Sequence, residues 1–409
     1  MNRLRRRILA GSVLAVFGAV AGALAPFSAH AQQAAPIKVG LTTDLTGIAA
    51  AYARSQVNGV EMAIEELNAA GGVLGRKLQL IVRDSQLKPD LGTSHTRDLI
   101  TRENVDVLVG PDASSVGLAV SAVARQYKKV VMMTIPNTPR LTMELFHPYI
   151  FTLVPSGLME ARAMAEAIGP KFKKFAFIGG DYEASHQGLK YFKDRLGKVN
   201  PNAEWVNEAW PKLGEPDFTP YITRLLAAKP DVIFSYLWGA DLIGFIKQAK
   251  PYGLFERTRL ATLLFMDDLK ALGQEMPDGI IGQMRAPFFA FTNGAMTSFV
   301  KKYRAKYNDV PADWAIMGYE GMQVLAQGIA RAGSTDSNAI AAAIEGLNYQ
   351  GLTGPITFRK VDHQADVASY IGVTAKGDYD FKILKDIDAI PAERTWPTEE
   401  EVTASRKSG

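Results

Sequence analysis

The feature that most constrains the fold is a regular alternation of short β-rich segments with helical ones. In the first half of the chain, strand-like segments occupy residues 37–41, 78–82, 105–109, 130–134 and 149–154. The stretches between them carry apolar residues at a period near 3.6, which is typical of amphipathic helices. This alternation predicts βαβ units and a parallel sheet with helices on both faces.

The same alternation then starts again further along the chain. Strand-like segments at 175–178, 204–209, 231–236, 259–263 and 280–284 are again separated by helical ones. Two complete series predict an α/β protein with two doubly wound, Rossmann-like lobes. A helical block followed by strands comes after both series, which indicates that the chain crosses back between the lobes.

The first 31 residues have the features of a signal peptide. Arg3, Arg5, Arg6 and Arg7 precede an uncharged apolar run, and Ala29-His30-Ala31 is an A-x-A cleavage site. We therefore expect an exported protein that is cleaved near Ala31. A retained membrane anchor is the alternative, because the apolar run is close to spanning length. The arginines fit both the general secretory route and the twin-arginine route.

Charge and cysteine content exclude several function classes. The four leader arginines account for the whole net charge of +4, so the remaining chain is close to neutral. A neutral chain lacks the basic excess that attracts nucleic acid or acidic lipid. The sequence has no cysteine, which excludes disulfides, a thiolate metal site, a cysteine nucleophile and a lipidated N-terminal cysteine.

The usual sequence signatures of enzymes are missing. The chain contains neither a P-loop motif nor a G-x-S-x-G nucleophile elbow. Its five histidines include one in the leader, and no two of them have the spacing of metal ligands. We therefore predict a protein that is not an enzyme and that uses no catalytic residue, cofactor or metal.

Two loops that follow strands are candidates for binding an anion. Gly110-Pro111-Asp112-Ala113-Ser114-Ser115 follows the strand at 105–109 and opens a helix. Backbone N–H groups at a helix start, together with the hydroxyl of Ser114 or Ser115, suit a carboxylate. Ile135-Pro136-Asn137-Thr138-Pro139 follows the next strand at the same sheet edge. The alternatives are an N-cap serine and a proline-rich turn without a ligand.

Several short motifs occur in an order that resembles a known family. Behind the export leader the chain contains Leu45-Thr46-Gly47, Asn58-Gly59, Ala63-Ile64, Leu67-Asn68, Gly71-Gly72-Val73-Leu74-Gly75, Gly110-Pro111 with Ser114-Ser115, Thr138-Pro139-Arg140-Leu141-Thr142, Gly354-Pro355-Ile356-Thr357-Phe358 and Asp362-His363-Gln364. In this order they resemble the leucine/isoleucine/valine-binding protein family of periplasmic receptors. The resemblance covers residues 36–385.

This resemblance implies the type I periplasmic-binding fold, in which two lobes are joined by a three-stranded hinge. The first lobe would comprise residues 36–154 and 287–354, and the second residues 155–286 and 355–391. Crossings between the lobes are expected near Pro155, near 285–287 and near 353–355. We expect the polar tail, residues 392–409, to be loosely ordered.

The resemblance also assigns expected ligand contacts. Ser114 stands where the family has a serine that holds the ligand carboxylate. Asn137 and Thr138 lie near a second carboxylate grip, in a loop one residue shorter than in typical members. Tyr52 would cover the ligand side chain, although core packing is the alternative reading for an aromatic residue.

The second lobe would supply the opposite wall of the ligand site. The resemblance places Trp238 near an aromatic wall position, with core packing again as the alternative. It places Tyr182 in the loop that closes over the ligand. Ala184 stands where many members have tyrosine.

One departure from the family pattern bears on the ligand. Amino-acid binders of this family need an acidic residue after the strand at 259–263, to pair the ligand ammonium. Here Leu264 and Phe265 follow that strand, and the acids Asp267 and Asp268 come later. An unpaired buried ammonium is costly. We therefore predict a carboxylate with an aromatic or aliphatic tail, such as an aromatic acid or a 2-oxo acid.

The resulting hypothesis is a monomeric periplasmic solute-binding receptor of an ABC uptake transporter. It would capture the ligand by hinge closure and deliver it to an inner-membrane permease, without binding nucleic acid. A receptor for branched-chain or hydrophobic amino acids is the alternative within the same class. A sensor that feeds a signalling receptor and an enzyme on the same architecture are alternatives from other classes.

Overall fold

The computed structural model describes residues 34–47 and 49–408. The predicted signal peptide and its cleavage near Ala31 lie outside the described residues. The strands are β1 Ile37–Thr43, β2 Leu78–Asp84, β3 Val107–Val109, β4 Val131–Met133, β5 Ile150–Thr152, β6 Lys174–Ile178, β7 Glu204–Ala209, β8 Val232–Ser235, β9 Arg259–Leu263, β10 Ile281–Met284, β11 Tyr349–Gln350, β12 Pro355–Ile356, β13 Ser369–Lys376 and β14 Lys382–Ile390.

Helices separate most of these strands. They are α1 Ala50–Ala69, α2 Pro89–Thr101, α3 Ser114–Tyr127, α4 Gly157–Ile168, α5 Glu183–Val199, α6 Thr219–Ala228, α7 Gly239–Ala249, α8 Leu254–Arg257, α9 Met266–Leu272, α10 Gly294–Tyr307, α11 Asp313–Ala332, α12 Ser337–Glu345 and α13 Glu399–Ser408. Within the described part of the chain, none of these helices has both the length and the apolar character needed to span a membrane.

The first lobe contains a five-stranded sheet in the order β2-β1-β3-β4-β5. All of its strand pairs are parallel. The apolar side chains of β1 and β3 are almost wholly buried, as expected for strands covered by helices on both faces. This sheet confirms the predicted doubly wound architecture.

The second lobe contains a seven-stranded sheet in the order β14-β13-β10-β9-β8-β6-β7. The strands from β6 to β10 are parallel, whereas β13 and β14 are added antiparallel at one edge. Parallel neighbours need a long crossover, so β6 to β10 alternate with helices. The antiparallel pair needs only a tight turn.

The expected assignment of residues 355–391 to the second lobe is wrong for its first part. Pro355–Ile356 pairs with β11, and Gln364 forms a parallel bridge with Thr152 of β5. The Gln364 side chain also donates to the Val154 carbonyl at 2.8 Å. Residues 355–365 therefore extend the first lobe, and the chain crosses to β13 just before Ser369.

The expectation of a loosely ordered tail at 392–409 is also wrong. Residues 399–408 form helix α13, and Val402 is fully buried. Arg162 of α4 donates to the Glu401 carboxylate at 2.7 Å. The segment is therefore ordered through Val402 and the Arg162–Glu401 pair, although its remaining polar residues are mostly exposed.

Helices α1 and α11 pack closely in the first lobe, and glycine makes this approach possible. A Cβ on Gly59 would lie 1.9 Å from the carbonyl oxygen of Ala315 on α11. No side chain fits at that distance without moving one helix away from the other. The crossing of α1 and α11 therefore requires glycine at residue 59.

Gly59→Ala should therefore destabilise the protein by about 3 kcal/mol or more, because the helices must separate. Denaturant unfolding followed by circular dichroism measures the change. Gly197→Ala is the matched control, since Gly197 lies in α5 with open space around it, and alanine there should stabilise by about 0.5 kcal/mol. Equal behaviour of the two variants would contradict the close packing.

A buried carboxyl group fixes the segment before β12 in the first lobe. Glu320 on α11 is fully buried. Its Oε1 accepts from the backbone N–H of Thr353 at 3.0 Å and from the Thr353 hydroxyl at 3.1 Å. Burial raises the pKa of Glu320 to about 7. The folded protein therefore holds this proton more tightly than the unfolded chain does.

A raised pKa means that the contribution of Glu320 to stability falls as pH rises from about 4.5 to about 7. Glu320→Gln replaces the titrating carboxyl group by a neutral amide, whose oxygen can still accept from Thr353. The variant should gain free energy of unfolding over the parent, by ~1 kcal/mol at pH 5 and by ~3 kcal/mol at pH 8. Urea titrations at both pH values measure this difference, with the exposed Glu183→Gln as control. A constant difference would rule out the raised pKa.

Candidate functional site

The first predicted anion loop ends at the start of helix α3. Ala113 is the extended N-cap residue, and Ser114 begins the helix. The Ser114 hydroxyl donates to Oδ1 of Asn137 at 3.3 Å, so the two predicted loops meet. Ser115 is exposed, and its hydroxyl forms no hydrogen bond to another described residue. Of the two serines, the structure brings only Ser114 into contact with the second loop.

Asn137 connects this pair to a buried ion pair. Its Nδ2 donates to Oε2 of Glu160 at 2.7 Å, and Oε1 of Glu160 accepts from Nε of Arg285 at 2.7 Å. The guanidinium also donates through Nη1 to the Ile135 carbonyl at 3.0 Å. Glu160 is 1% exposed and Arg285 is 6% exposed. These five residues form one polar network across the lobes.

An aromatic cluster adjoins the polar network. Phe265 lies 4.7 Å from Trp314 between ring centroids, and Tyr52 lies 5.4 Å from Trp314 and 6.2 Å from Phe265. The Arg285 guanidinium carbon is 5.2 Å from the Trp314 centroid and 5.8 Å from that of Phe265, within cation–π range. Arg285 therefore joins the polar network to the aromatic cluster.

The second lobe contributes a further aromatic pair. Nε1 of Trp238 donates to the Tyr182 hydroxyl at 3.1 Å, and Trp238 remains 37% exposed. Gly239 follows it at the start of α7. A Cβ on Gly239 would lie 3.6 Å from the Tyr52 hydroxyl. The Tyr52 hydroxyl of the first lobe therefore approaches the start of α7, directly after Trp238 in the second lobe.

Other predicted residues lie away from these contacts. Thr138 is half-buried and precedes a short 3₁₀ helix, and Ala184 is exposed on α5. Leu264 is fully buried and packs against Gly282 of β10 in the second lobe. Among the predicted apolar wall residues, only Phe265 reaches Tyr52.

Two buried aspartates near the site have raised pKa values. Burial raises the pKa of Asp112 to about 6, and its Oδ2 accepts from the backbone N–H of Asp44 at 3.1 Å. Burial also raises the pKa of Asp268 to about 7. The Asp268 Oδ2 accepts from the backbone N–H of Phe265 at 3.0 Å, whereas its buried Oδ1 has no partner among the described residues.

Sequence reasoning missed three residues of this region: Glu160, Arg285 and Trp314. Arg285 directly follows β10, so the rule that ligands bind beyond the carboxyl ends of strands could have indicated it. Glu160 and Trp314 lie inside helices. Their sequence neighbourhoods contain no signal that separates them from ordinary helix residues.

A separate cavity lies between the segments that connect the two lobes. A cavity of about 210 Å³ is bounded by Pro155, Arg285, Thr353, Asp366 and Tyr370, among others. Ser114, Asn137 and Tyr52 do not line it. Arg285 is the residue that this hinge cavity shares with the polar network.

Comparison with known proteins decides the family. A model of the periplasmic binding protein family matches residues 36–378. The chain belongs to this family. A Leu/Ile/Val-binding protein of Rhizobium johnstonii is 28% identical to the binding protein, over 79% of this chain and 88% of the relative. These matches confirm the resemblance to the leucine/isoleucine/valine-binding proteins of ABC transporters, which are periplasmic solute-binding proteins.

Another relative and a solved structure support the same family and fold. A leucine-, isoleucine-, valine-, threonine- and alanine-binding protein of Pseudomonas aeruginosa is 23% identical, over 85% of this chain and 91% of its own. The crystal structure of an ABC-type branched-chain amino acid transporter protein from Rhodopseudomonas palustris is 25% identical, with a TM-score of 0.77. That match covers 88% of this chain and 98% of that one. The type I periplasmic-binding fold is thereby confirmed.

The buried ion pair gives a stability prediction. Glu160→Ala leaves the Arg285 guanidinium buried and uncompensated, which should cost about 3–5 kcal/mol. Chemical denaturation measures the loss. Asp194→Ala is the control, because it breaks an exposed pair with Lys190 and should cost less than about 1 kcal/mol. Similar losses in the two variants would show that the Glu160–Arg285 pair is not electrostatically isolated from water.

Proposed function

We propose that the binding protein is the periplasmic receptor of an ABC uptake transporter for a small carboxylate with an aromatic or aliphatic tail. The observation that carries this proposal is the direct contact between the polar network and the aromatic cluster through Arg285. An anion donor set beside an aromatic wall matches a ligand with one charged end and one apolar end.

The carboxylate end would bind at the start of α3. Backbone N–H groups of the first helical turn have no partner within the helix and carry partial positive charge. The hydrogen bond from Ser114 to Asn137 is long, at 3.3 Å. A carboxylate would compete for the Ser114 hydroxyl effectively, since charge-assisted hydrogen bonds are shorter and stronger.

The apolar end would contact Tyr52 and Phe265. Phe265 stands where the resemblance leads us to expect an ammonium-pairing acid, and its ring contacts Tyr52 and Trp314. Trp238 and Tyr182 would cover this end from the second lobe. Their mutual hydrogen bond satisfies the indole N–H, so the pair presents aromatic surface without an unmet donor.

Transport would follow from closure of the lobes on the ligand and presentation of the closed form to an inner-membrane permease. We propose a monomer and no nucleic-acid partner. Fold neighbours show that the architecture accommodates aromatic acids. Two solute-binding proteins of Rhodopseudomonas palustris, 24% and 21% identical, with TM-scores of 0.75 and 0.76, were crystallised with 3,4-dihydroxybenzoic acid and benzoate.

A second candidate ligand class is a branched-chain or hydrophobic amino acid. The observation that favours it is Asp268: burial is the main cause that raises the Tyr52 pKa, and the Asp268 charge is close enough to raise it further. The buried, unpartnered Oδ1 of Asp268 could accept from an ammonium group. The names of the curated relatives also refer to amino acids.

Calorimetry separates the two ligand classes. We expect benzoate, phenylpyruvate or 4-methyl-2-oxopentanoate to bind more tightly than phenylalanine or leucine by at least about tenfold, since an unpaired ammonium is costly to bury. Asp268→Asn should leave binding of the acids intact. Tight binding of leucine or phenylalanine without the acids, abolished by Asp268→Asn, would establish the amino-acid alternative.

The two adjacent serines provide a matched test of the anion grip. Ser114→Ala removes the hydroxyl donor and should weaken binding of the best acid from that screen by about tenfold, as expected for a hydrogen bond to a charged group. Ser115→Ala changes an exposed side chain and should alter the Kd by less than about twofold. Equal effects of the two substitutions would place the carboxylate elsewhere.

A further inference from the structure

The C-terminal segment, residues 392–408, contacts both lobes, and we refer to it as the C-terminal strap. It leaves the second lobe where β14 ends at Ile390 and lies beyond residues 36–378, the range that the family model matches. The three expected crossings run through the hinge. The strap adds a fourth connection between the lobes.

One end of the strap is anchored to the second lobe. Arg162 of α4 donates through Nη1 to the Trp396 carbonyl at 3.0 Å and through Nη2 to Oε1 of Glu401 at 2.7 Å. Arg394 pairs with Glu166 of the same helix. Ala392 is buried against Leu158 and Met159 at the start of α4. This end is therefore fixed by ion pairs and by apolar contact.

The other end is anchored to the first lobe. Nε of Arg406 donates to the Met143 carbonyl at 3.2 Å, and Nη2 donates to the carbonyls of Thr142 and Val361 at 3.3 and 2.7 Å. The guanidinium lies 4.1 Å above the Phe146 ring. Residues 142–146 connect β4 to β5. Arg406 thus gathers three carbonyl oxygens of the first lobe.

Both anchors belong to one short helix, which limits how far the lobes can move. Glu401 and Arg406 are five residues apart on α13, about 7.5 Å along its axis at 1.5 Å per residue. Val402 between them is fully buried. A helix does not stretch, so rotation of one lobe against the other must break the Glu401 anchor or the first-lobe contacts of the strap. These contacts are the Arg406 anchor and Arg359, which donates to the Pro397 carbonyl at 2.9 Å and lies 4.6 Å from the centre of the Trp396 ring.

We propose that the C-terminal strap stabilises the lobe arrangement in which Tyr52 and Phe265 are in contact, and so sets the open–closed balance of the binding protein. The anchors lie close in sequence to the ligand site. Arg162 comes two residues after Glu160, and Thr142 comes four residues after Thr138. The strap contacts and the proposed ligand contacts therefore depend on the same two segments, residues 138–142 and 160–162. The strap contacts do not require a bound ligand.

Pulsed electron–electron resonance on the ligand-free protein tests this proposal. The sequence has no cysteine, so Lys88→Cys and Lys212→Cys, both exposed and just beyond the carboxyl ends of β2 and β7, give one spin-label pair across the cleft. Arg406→Ala should shift the ratio of long to short distances roughly tenfold, because it removes hydrogen bonds from a charged donor. Arg102→Ala, which breaks an exposed first-lobe pair, should not change the ratio.

A double-mutant cycle tests whether the two anchors act together. Glu401→Ala should shift the ratio in the same direction as Arg406→Ala but by less, because Arg162 still donates to the Trp396 carbonyl and Arg394 still pairs with Glu166. The double variant should shift the ratio by less than the sum of the two single shifts, because both substitutions loosen the same strap. Thermal melts verify that each variant is folded. Unchanged distances in both single variants, or additive shifts in the double variant, would overturn the proposal.

Discussion

The buried ion pair between Glu160 and Arg285 is the interaction on which the site depends. Neither charge can be buried alone at acceptable cost, so helix α4 and the end of β10 must keep their relative positions. The Asn137 amide donates to the Glu160 carboxylate, and the Arg285 guanidinium donates to the Ile135 carbonyl, so the pair fixes both groups. The loop that meets Ser114 is therefore positioned by a contact that lies where the chain crosses between the lobes. A binding loop held at a hinge can stay in register while the lobes move.

In the proposed site, the aromatic cluster and the polar network would divide the recognition of a ligand between two physical effects. Tyr52, Phe265 and Trp314 offer apolar area, whose burial gives affinity with little directional preference. Ser114 and the start of α3 offer directed donors, which fix the orientation of a charged end. Between an acid and an amino acid, the decisive group is Asp268, because a ligand ammonium would need its carboxylate and an acid would avoid it.

Local patterns in the sequence predicted much of the fold. Segments such as 204–209 and 259–263 have the predicted bounds, because a short run of strand-favouring residues leaves a local signal. The site was predicted less completely. Glu160 and Arg285 are 125 residues apart, and no local pattern reports a pair that only the tertiary fold assembles. The tail was misjudged for the same reason, since Arg406 and Glu401 find their partners on distant elements.

The crystal structure of the binding protein after soaking with the tightest-binding acid would test the proposed ligand position most directly. We expect electron density for the carboxylate within hydrogen-bonding distance of the Ser114 hydroxyl and the first N–H groups of α3. The apolar tail should lie against Tyr52 and Phe265. Density for the ligand in the hinge cavity beside Thr353 and Asp366, with the Ser114–Asn137 hydrogen bond unchanged, would contradict it.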